Sequence, residues 1–160
     1  AGIIGQESVP RGSERRMNVL VSACLLGENC KYNGKNNRSE ALIRRLQGHH
    51  VIPVCPEVLG GLGVPRPCVE LRDGKAVDCN GRDVDAAFRA GVEKALRQIE
   101  GQAVDLAVLQ SRSPTCGVKQ IYDGSFSGRL IDGQGLLAAA LTARGVRVVD
   151  VEDLDSVPEL

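Results

Sequence analysis

Six cysteines, at positions 24, 30, 55, 68, 79 and 116, are the residues of this chain best suited to chemistry. None of them forms a C-x-x-C pair, which is the spacing of zinc ribbons and of thioredoxin-like redox sites. Histidine occurs only as the adjacent His49 and His50, so a metal site rich in imidazole is excluded. A group of thiolates without histidine suits zinc or an iron–sulfur cluster, because soft sulfur ligands select those metals.

Three of these cysteines, Cys24, Cys55 and Cys116, follow three different predicted strands, and their spacing leaves several interpretations open. A structural zinc site would normally need a fourth protein ligand. An iron–sulfur cluster held by three cysteines would leave one iron open to act as a Lewis acid. The trio could instead be small buried hydrophobic residues, or one cysteine could be a nucleophile.

Two polar segments accompany the thiols. Residues 111–117 (SRSPTCG) place three hydroxyls, the Arg112 guanidinium and a thiol within seven positions, although they also fit a turn that merely ends a strand. Cys55 is followed two positions later by Glu57, whose carboxylate could act as a general acid or base beside a ligand. Glu57 could equally be a surface residue or the salt-bridge partner of Arg66.

The thiols must be positioned by alternating strands and helices. Apolar patterns predict strands over Asn18–Ala23, Val51–Val54, Leu106–Leu109 and Val146–Val151, and helices over Ser39–Gln47, Asp83–Ile99 and Leu136–Ala143. Pro53 argues against a central position for the second strand. Val69–Leu71 and Lys75–Val77 predict a hairpin after a loop at Pro56–Pro67.

This order predicts an α/β fold, a three-layer Rossmann-like sandwich with a mostly parallel sheet and a small hairpin insertion. Ligands of such sheets bind at the carboxyl ends of the strands. Since the three cysteines follow such ends, we expect them to meet in one crevice.

The composition excludes several classes of protein. Apolar residues make up 42% and charged residues 25%, which is typical of a folded globular chain. A net charge of zero and 2% aromatic residues argue against a partner that is a long nucleic acid. No apolar run approaches the ~20 residues that cross a bilayer, so no membrane partner is expected.

The chain length and the composition of the first residues predict the domain organisation. We predict that residues 1–16 are a flexible N-terminal extension and that residues 17–160 form a single α/β domain. The absence of a secretion signal predicts a reducing, cytoplasmic location. No sequence pattern indicates an oligomeric state.

Four ordered motifs carry a family resemblance. They are SACLLGENCKYNGK (22–35), VCPEVLGGLGVPRPC (54–68), SRSPTCG (111–117) and IYDGSFSG (121–128). Together they resemble a small bacterial family, long catalogued as a domain of unknown function, whose members include thiouracil desulfidases. The resemblance extends over residues 17–152 and implies that the predicted α/β domain is catalytic.

The resemblance also implies a cofactor and a substrate. Its cofactor would be a 4Fe-4S cluster bound by Cys24, Cys55 and Cys116, with an open iron that takes the sulfur of a thiolated pyrimidine such as 2-thiouracil. The acidic and hydroxyl active-site residues of the family correspond to Glu57 and Ser113.

Residues 111 and 112 complete the predicted site. Ser111 competes with Ser113 for the role of the active-site hydroxyl. We expect Ser111 and Arg112 to bind the substrate.

The chain departs from the family pattern at two positions. Gln110 stands where a lysine is common, and Cys68 stands where a second proline is expected. Cys30 belongs to a frequent pattern of the family and is an alternative ligand. Two rival functions remain open: a non-catalytic, metal-stabilised nucleotide-binding module, and a sulfur transferase that carries a persulfide on Cys116.

Overall fold

A computed structural model describes residues 16–160 of the chain. The predicted N-terminal extension, residues 1–16, therefore lies outside the described residues except for Arg16. The strands of the described part are β1 (Asn18–Ser22), β2 (His50–Val54), β3 (Val69–Arg72), β4 (Lys75–Asp78), β5 (Leu106–Leu109), β6 (Gln120–Tyr122), β7 (Leu130–Asp132) and β8 (Val148–Asp150). Its α-helices are α1 (Glu40–Arg45), α2 (Pro56–Leu59), α3 (Asp85–Gln98) and α4 (Leu136–Ala143).

A four-stranded parallel sheet is the centre of the fold. Its strand order is β2-β1-β5-β8, and each neighbouring pair runs parallel. Pro53 pairs with Val21 from the edge strand β2. Since proline has no N–H to donate to a second neighbour, the edge position is the one in which it is tolerated. The prediction that this strand is not central is confirmed.

The two faces of the sheet are covered by different layers. Val19 and Val21 of β1 pack with Leu42 of α1 on one face, where Leu154 from a C-terminal 3-10 helix (Val151–Ser156) also packs. Leu20 lies on the opposite face, in a core built mainly with residues of α3 and α4. The alternation follows from the two-residue repeat of a strand, and it confirms the predicted three-layer α/β sandwich.

Two antiparallel hairpins stand outside the sheet. The β3–β4 hairpin was predicted, whereas β6–β7 was not. Three-residue strands give no pattern of alternation, and β7 is exposed along its whole length, so the sequence carried no strand signal there. No helix among residues 16–160 is long and apolar enough to cross a bilayer.

The bounds of several elements differ from those predicted. Helix α2 lies within the predicted loop at Pro56–Pro67, and Pro56 is its first residue. Proline is favoured there because the N–H of the first helical residue would have no partner within the helix. Helix α3 begins at Asp85 instead of Asp83, because the Asp83 carboxylate accepts the Asp85 N–H at 2.9 Å in a turn before the helix. The final strand is shorter than Val146–Val151, since Val151 begins the 3-10 helix.

Candidate active site

One cavity opens at the carboxyl ends of the parallel strands. Its volume is about 490 Å³. All seven residues that the sequence predicted for the site line it, namely Cys24, Cys55, Glu57, Ser111, Arg112, Ser113 and Cys116. Strands β1, β2 and β5 are neighbours in the sheet, so their exits converge as the parallel order requires.

Cys24 lies in a 3-10 helix, Ala23–Leu26, that begins directly after β1. Its side chain is buried. Asn37 fixes this turn, because its backbone N–H donates to the Cys24 carbonyl at 2.9 Å and its Nδ2 lies 3.9 Å from the Cys24 sulfur. The Asn37 side-chain oxygen also accepts the Lys31 ammonium at 2.9 Å. The Asn37 side chain therefore joins the Lys31 ammonium to the segment that carries Cys24.

Cys55 is the residue at which β2 ends and α2 begins. Its sulfur lies 3.9 Å from the Cys30 carbonyl oxygen. The Cys30 thiol hydrogen-bonds with both Cys24 and Cys55, and the Cys24 contact is the main cause that raises the pKa of Cys30 to about 11. The Cys30 contact, followed by burial, raises the pKa of Cys55. Cys30 thus lies among the predicted ligands and lines the same cavity.

Cys116 is buried, and the turn before it holds it in place. The Ser113 hydroxyl oxygen accepts the N–H groups of Thr115 and Cys116 at 3.1 and 3.0 Å. Burial raises the pKa of the Cys116 thiol to about 12, and hydrogen bonds from Ser22 and Ser113 partly oppose this shift. The negative charge of Glu57 adds to the rise. The Glu57 carboxylate is therefore close enough to the Cys116 thiol to disfavour its ionisation.

The thiols are spread around the cavity wall. Within residues 16–160, no group of three or more His, Cys, Asp or Glu side chains is arranged around a point where a single metal ion could bind. Cys24, Cys55 and Cys116 instead enclose a shared space from three chain segments. All three are free thiols. A soft donor set distributed in this way fits a multi-iron cluster, which is larger than one ion.

Glu57 lies in the first turn of α2, and its carboxylate pairs with Arg66 at 3.4 Å. The exposed fractions of the two side chains are 19% for Glu57 and 5% for Arg66. Burial raises the pKa of Glu57, and the Arg66 charge opposes the rise without cancelling it. Arg66 also donates to the carbonyl oxygens of Cys30 and Gly63, at 2.9 and 3.1 Å. The salt bridge considered from the sequence therefore exists, inside the cavity wall.

Ser111 and Arg112 line the cavity, but their polar groups have partners within the protein. The buried Ser111 hydroxyl donates to Asp150 Oδ1 at 2.6 Å. The Arg112 guanidinium binds both carboxylate oxygens of Glu152, at 3.1 and 2.9 Å. Ser113 differs from both, because its oxygen accepts two backbone N–H groups and its hydrogen can donate either to the Cys116 sulfur or to a molecule in the cavity.

Glu70 is a residue at the cavity that the sequence analysis missed. Its carboxylate accepts the N–H groups of Gly124 and Phe126, both at 3.0 Å. Arg72 donates to the Gly124 carbonyl oxygen through two nitrogens, at 3.0 and 2.8 Å. Strand β3 thereby anchors the fourth motif, IYDGSFSG, against the cavity. The fourth motif was visible in the sequence, but nothing in it indicated that Glu70 would be the residue that binds it.

Gln110 and Cys68, the two departures from the family pattern, also line the cavity. The Gln110 backbone N–H donates to the Ser22 hydroxyl at 3.0 Å, so β1 and β5 are joined next to Cys24. The Gln110 side chain lies along the Ser111 carbonyl, at 3.5 Å. An uncharged amide thus lines this part of the wall.

Comparisons with known proteins agree on one family. The model of the 2-thiouracil desulfurase family matches residues 19–153. The chain is 34% identical over 149 residues to the uncharacterized protein YbbK of Bacillus subtilis (strain 168), covering 87% of this chain and 99% of that protein. A solved structure of the 4Fe-4S-dependent thiouracil desulfidase TudS is similar with a TM-score of 0.82 and 35% identity, covering 89% of this chain and 95% of TudS. The resemblance drawn from the four motifs is confirmed, and this chain belongs to the 2-thiouracil desulfurase family.

Proposed function

We propose that this protein is a 4Fe-4S-dependent desulfidase that removes sulfur from 2-thiouracil or a related thiolated pyrimidine. The family match and the similarity to TudS support the reaction and the cofactor. The observation that carries the proposal is the meeting of Cys24, Cys55 and Cys116 with Glu57 around one cavity.

The proposed cluster ligands are Cys24, Cys55 and Cys116. Each belongs to a different chain segment that follows a strand of the central sheet, and all three line the cavity that would hold the cluster. When bound by three thiolates, a 4Fe-4S cluster supplies one open iron as a Lewis acid for a soft thiocarbonyl sulfur. Cys30 lies against Cys24 and Cys55 and is the alternative ligand.

Glu57 is the proposed acid–base group. In the overall reaction, water adds at C2 of the ring, the C–S bond breaks, and sulfur leaves as sulfide. Glu57 accepts a proton from the attacking water and returns one to a ring nitrogen or to the departing sulfide. Its partly buried carboxylate lines the cavity, and Arg66 holds it from the opposite side.

Ser113 is the proposed contact for the polar edge of the ring. Its hydroxyl hydrogen, which otherwise bonds to the Cys116 sulfur, can donate to a carbonyl oxygen or to a ring nitrogen that lacks hydrogen. Ser111 and Arg112 are already paired with Asp150 and Glu152. We therefore assign them to shaping the loop that presents Ser113, and not to direct hydrogen bonds with the ring.

Burial of Cys116 disfavours the rival function as a persulfide carrier. A carrier thiol must be reached by sulfur donors and acceptors and must ionise easily, whereas Cys116 is 6% exposed and its pKa is raised. We also propose that residues 17–160 act as one catalytic domain in a reducing cytoplasm, where the thiols remain available for the cluster.

The test is anaerobic purification followed by iron and sulfide analysis, with 2-thiouracil as the substrate. We expect a brown protein that contains iron and inorganic sulfide in equal amounts and converts 2-thiouracil to uracil with release of sulfide. A colourless protein with stoichiometric zinc would instead support the binding module. A colourless protein that forms a persulfide at one cysteine would support the transferase.

Serine variants of the six cysteines test the ligand assignment. Replacing Cys24, Cys55 or Cys116 lowers the iron content sharply, because a hard hydroxyl is a poor substitute for thiolate. The matched controls, Cys30→Ser, Cys68→Ser and Cys79→Ser, keep the iron content of the unmodified chain. Iron that survives Cys55→Ser but is lost in Cys30→Ser would overturn the assignment.

A further inference from the structure

Two thiols outside the proposed ligand set, Cys68 and Cys79, face each other across the β3–β4 hairpin. Val69 pairs with Asp78, so the next pair outward is Cys68 with Cys79. The Cys79 N–H donates to the Cys68 carbonyl oxygen at 2.9 Å, so the two residues form a hydrogen-bonded pair of the antiparallel ladder. The Cα atoms of a hydrogen-bonded pair lie about 5.5 Å apart, within the range of about 4.4–6.8 Å that a disulfide spans.

The backbone around Cys79 is already fixed in this position. The Asp78 carboxylate accepts the N–H groups of Asn80 and Arg82, at 2.8 and 2.9 Å. The Asp78 N–H donates to the Arg82 carbonyl oxygen at 2.9 Å and closes the turn. The turn therefore holds Cys79 opposite Cys68 at the end of the hairpin.

The two thiols have different surroundings. Cys79 is exposed, whereas Cys68 is partly buried and lines the cavity. Burial, followed by contact with Cys79, raises the pKa of Cys68. A reagent in solution therefore reaches Cys79 first, and Cys68 lies behind it as a second thiol.

We propose that Cys68 and Cys79 are a dithiol modification site, which low-molecular-weight disulfides convert to an intramolecular disulfide at the rim of the cavity. The Cys79 thiolate attacks one sulfur of the small disulfide, forms a mixed disulfide and releases one small thiolate. The Cys68 thiolate then attacks the Cys79 sulfur, forms the Cys68–Cys79 bond and releases the second small thiolate. Two protein thiols are oxidised and one small disulfide is reduced to two thiols.

The site is separate from the proposed cluster ligands and does not depend on the proposed activity. Disulfides that form in a reducing compartment are usually transient or redox-sensing, and an exposed pair of this kind is readily reduced again. Closing the bond also removes a free thiol from the cavity wall.

The experiment treats the full chain, as purified under anaerobic conditions, with glutathione disulfide. The thiols are then alkylated and the digested peptides are weighed by mass spectrometry. We expect a peptide that links Cys68 to Cys79. The glutathione adduct on Cys79 accumulates at least about tenfold less than in Cys68→Ser, because closure inside one chain outruns exchange with dilute thiol.

Two variants separate the steps of the reaction. Cys68→Ser stops at the glutathione adduct of Cys79, whereas Cys30→Ser, the matched control, closes like the unmodified chain. A stable adduct on Cys79 in the unmodified chain, or a link from Cys68 to a cysteine other than Cys79, overturns the proposal. The peptide masses are measured without any turnover of 2-thiouracil. A chain that lacks the proposed activity can therefore still form the link between Cys68 and Cys79, and the two proposals can fail separately.

Discussion

At the residue scale, the proposed chemistry depends on the Glu57 carboxylate, which is partly buried and is paired with Arg66. Arg66 approaches Glu57 at 3.4 Å, longer than the about 2.7–2.9 Å of a tight charge-assisted hydrogen bond. The guanidinium divides its donors among Glu57, Cys30 and Gly63, and its Nε has no protein partner. A carboxylate in this setting keeps its orientation and remains able to exchange a proton.

A Glu57→Gln variant tests this role. The amide keeps the shape of the side chain but cannot exchange the proton, so we expect the cluster to remain while turnover of 2-thiouracil falls by roughly 100-fold or more. Iron analysis and steady-state kinetics of the same anaerobic preparation measure both quantities.

Two other outcomes of this variant have distinct meanings. Full activity in brown, cluster-loaded protein would show that water or Ser113 handles the proton. Loss of the cluster would show that Glu57 orders the loop around the ligands, as groups beside a metal site do.

At the scale of elements, the sequence predicted the strands and helices whose position is marked by a local residue pattern. The edge position of β2 follows from Pro53, and the start of α1 follows from Ser39, whose hydroxyl accepts the Leu42 N–H at 3.2 Å. The β6–β7 hairpin and the bond from Ser111 to Asp150 depend on contacts between distant segments. No local rule encodes such contacts, so most of the fold could be predicted but not the partners within the site.

The contact between α2 and α3 positions Cys55 and Glu57. A Cβ atom added at Gly91 would lie 1.8 Å from the Pro56 carbonyl oxygen, so only glycine allows this backbone approach. We expect Gly91→Ala to displace α2 and to destabilise the fold by about 1–3 kcal/mol, as overpacking does. Urea unfolding measures the loss, and iron content reports whether Cys55 has moved.

Gly63→Ala is the matched control for this substitution. It adds the same methyl group near α2, but no atom lies within 4 Å of the added Cβ and the residue does not have the left-handed backbone conformation. Its unfolding free energy should stay within about 0.5 kcal/mol of the unmodified chain. Equal stability of Gly91→Ala and Gly63→Ala would contradict the assigned packing.

At the scale of the whole molecule, the sheet and its two covering layers begin close to Met17. The Met17 carbonyl oxygen accepts the His50 N–H at 2.9 Å, and the Met17 N–H donates to His49 Nδ1 at 2.9 Å. The sequence of residues 1–16 shows no apolar periodicity, so a chain that starts at Met17 should keep its melting temperature and activity. A chain that starts at Val21 lacks half of β1 and should not fold, and equal behaviour of the two truncations would contradict this boundary.

The last prediction concerns the cluster as a link between distant parts of the fold. Cys24, Cys55 and Cys116 belong to three separate chain segments, so a bound cluster joins them only in the folded state. A group that binds only the native state at about 100 times its dissociation constant stabilises it by about 2.7 kcal/mol, which corresponds to roughly 5–10 °C in a domain of this size. Anaerobic removal of iron with a chelator should therefore lower the melting temperature by about that amount, as followed by circular dichroism. Cys55→Ser, which we expect to lack the cluster, should melt at the same temperature with and without chelator. An unchanged melting temperature after complete removal of iron would contradict this stabilising role and would show that the sheet and its helices hold the three ligands in place without it.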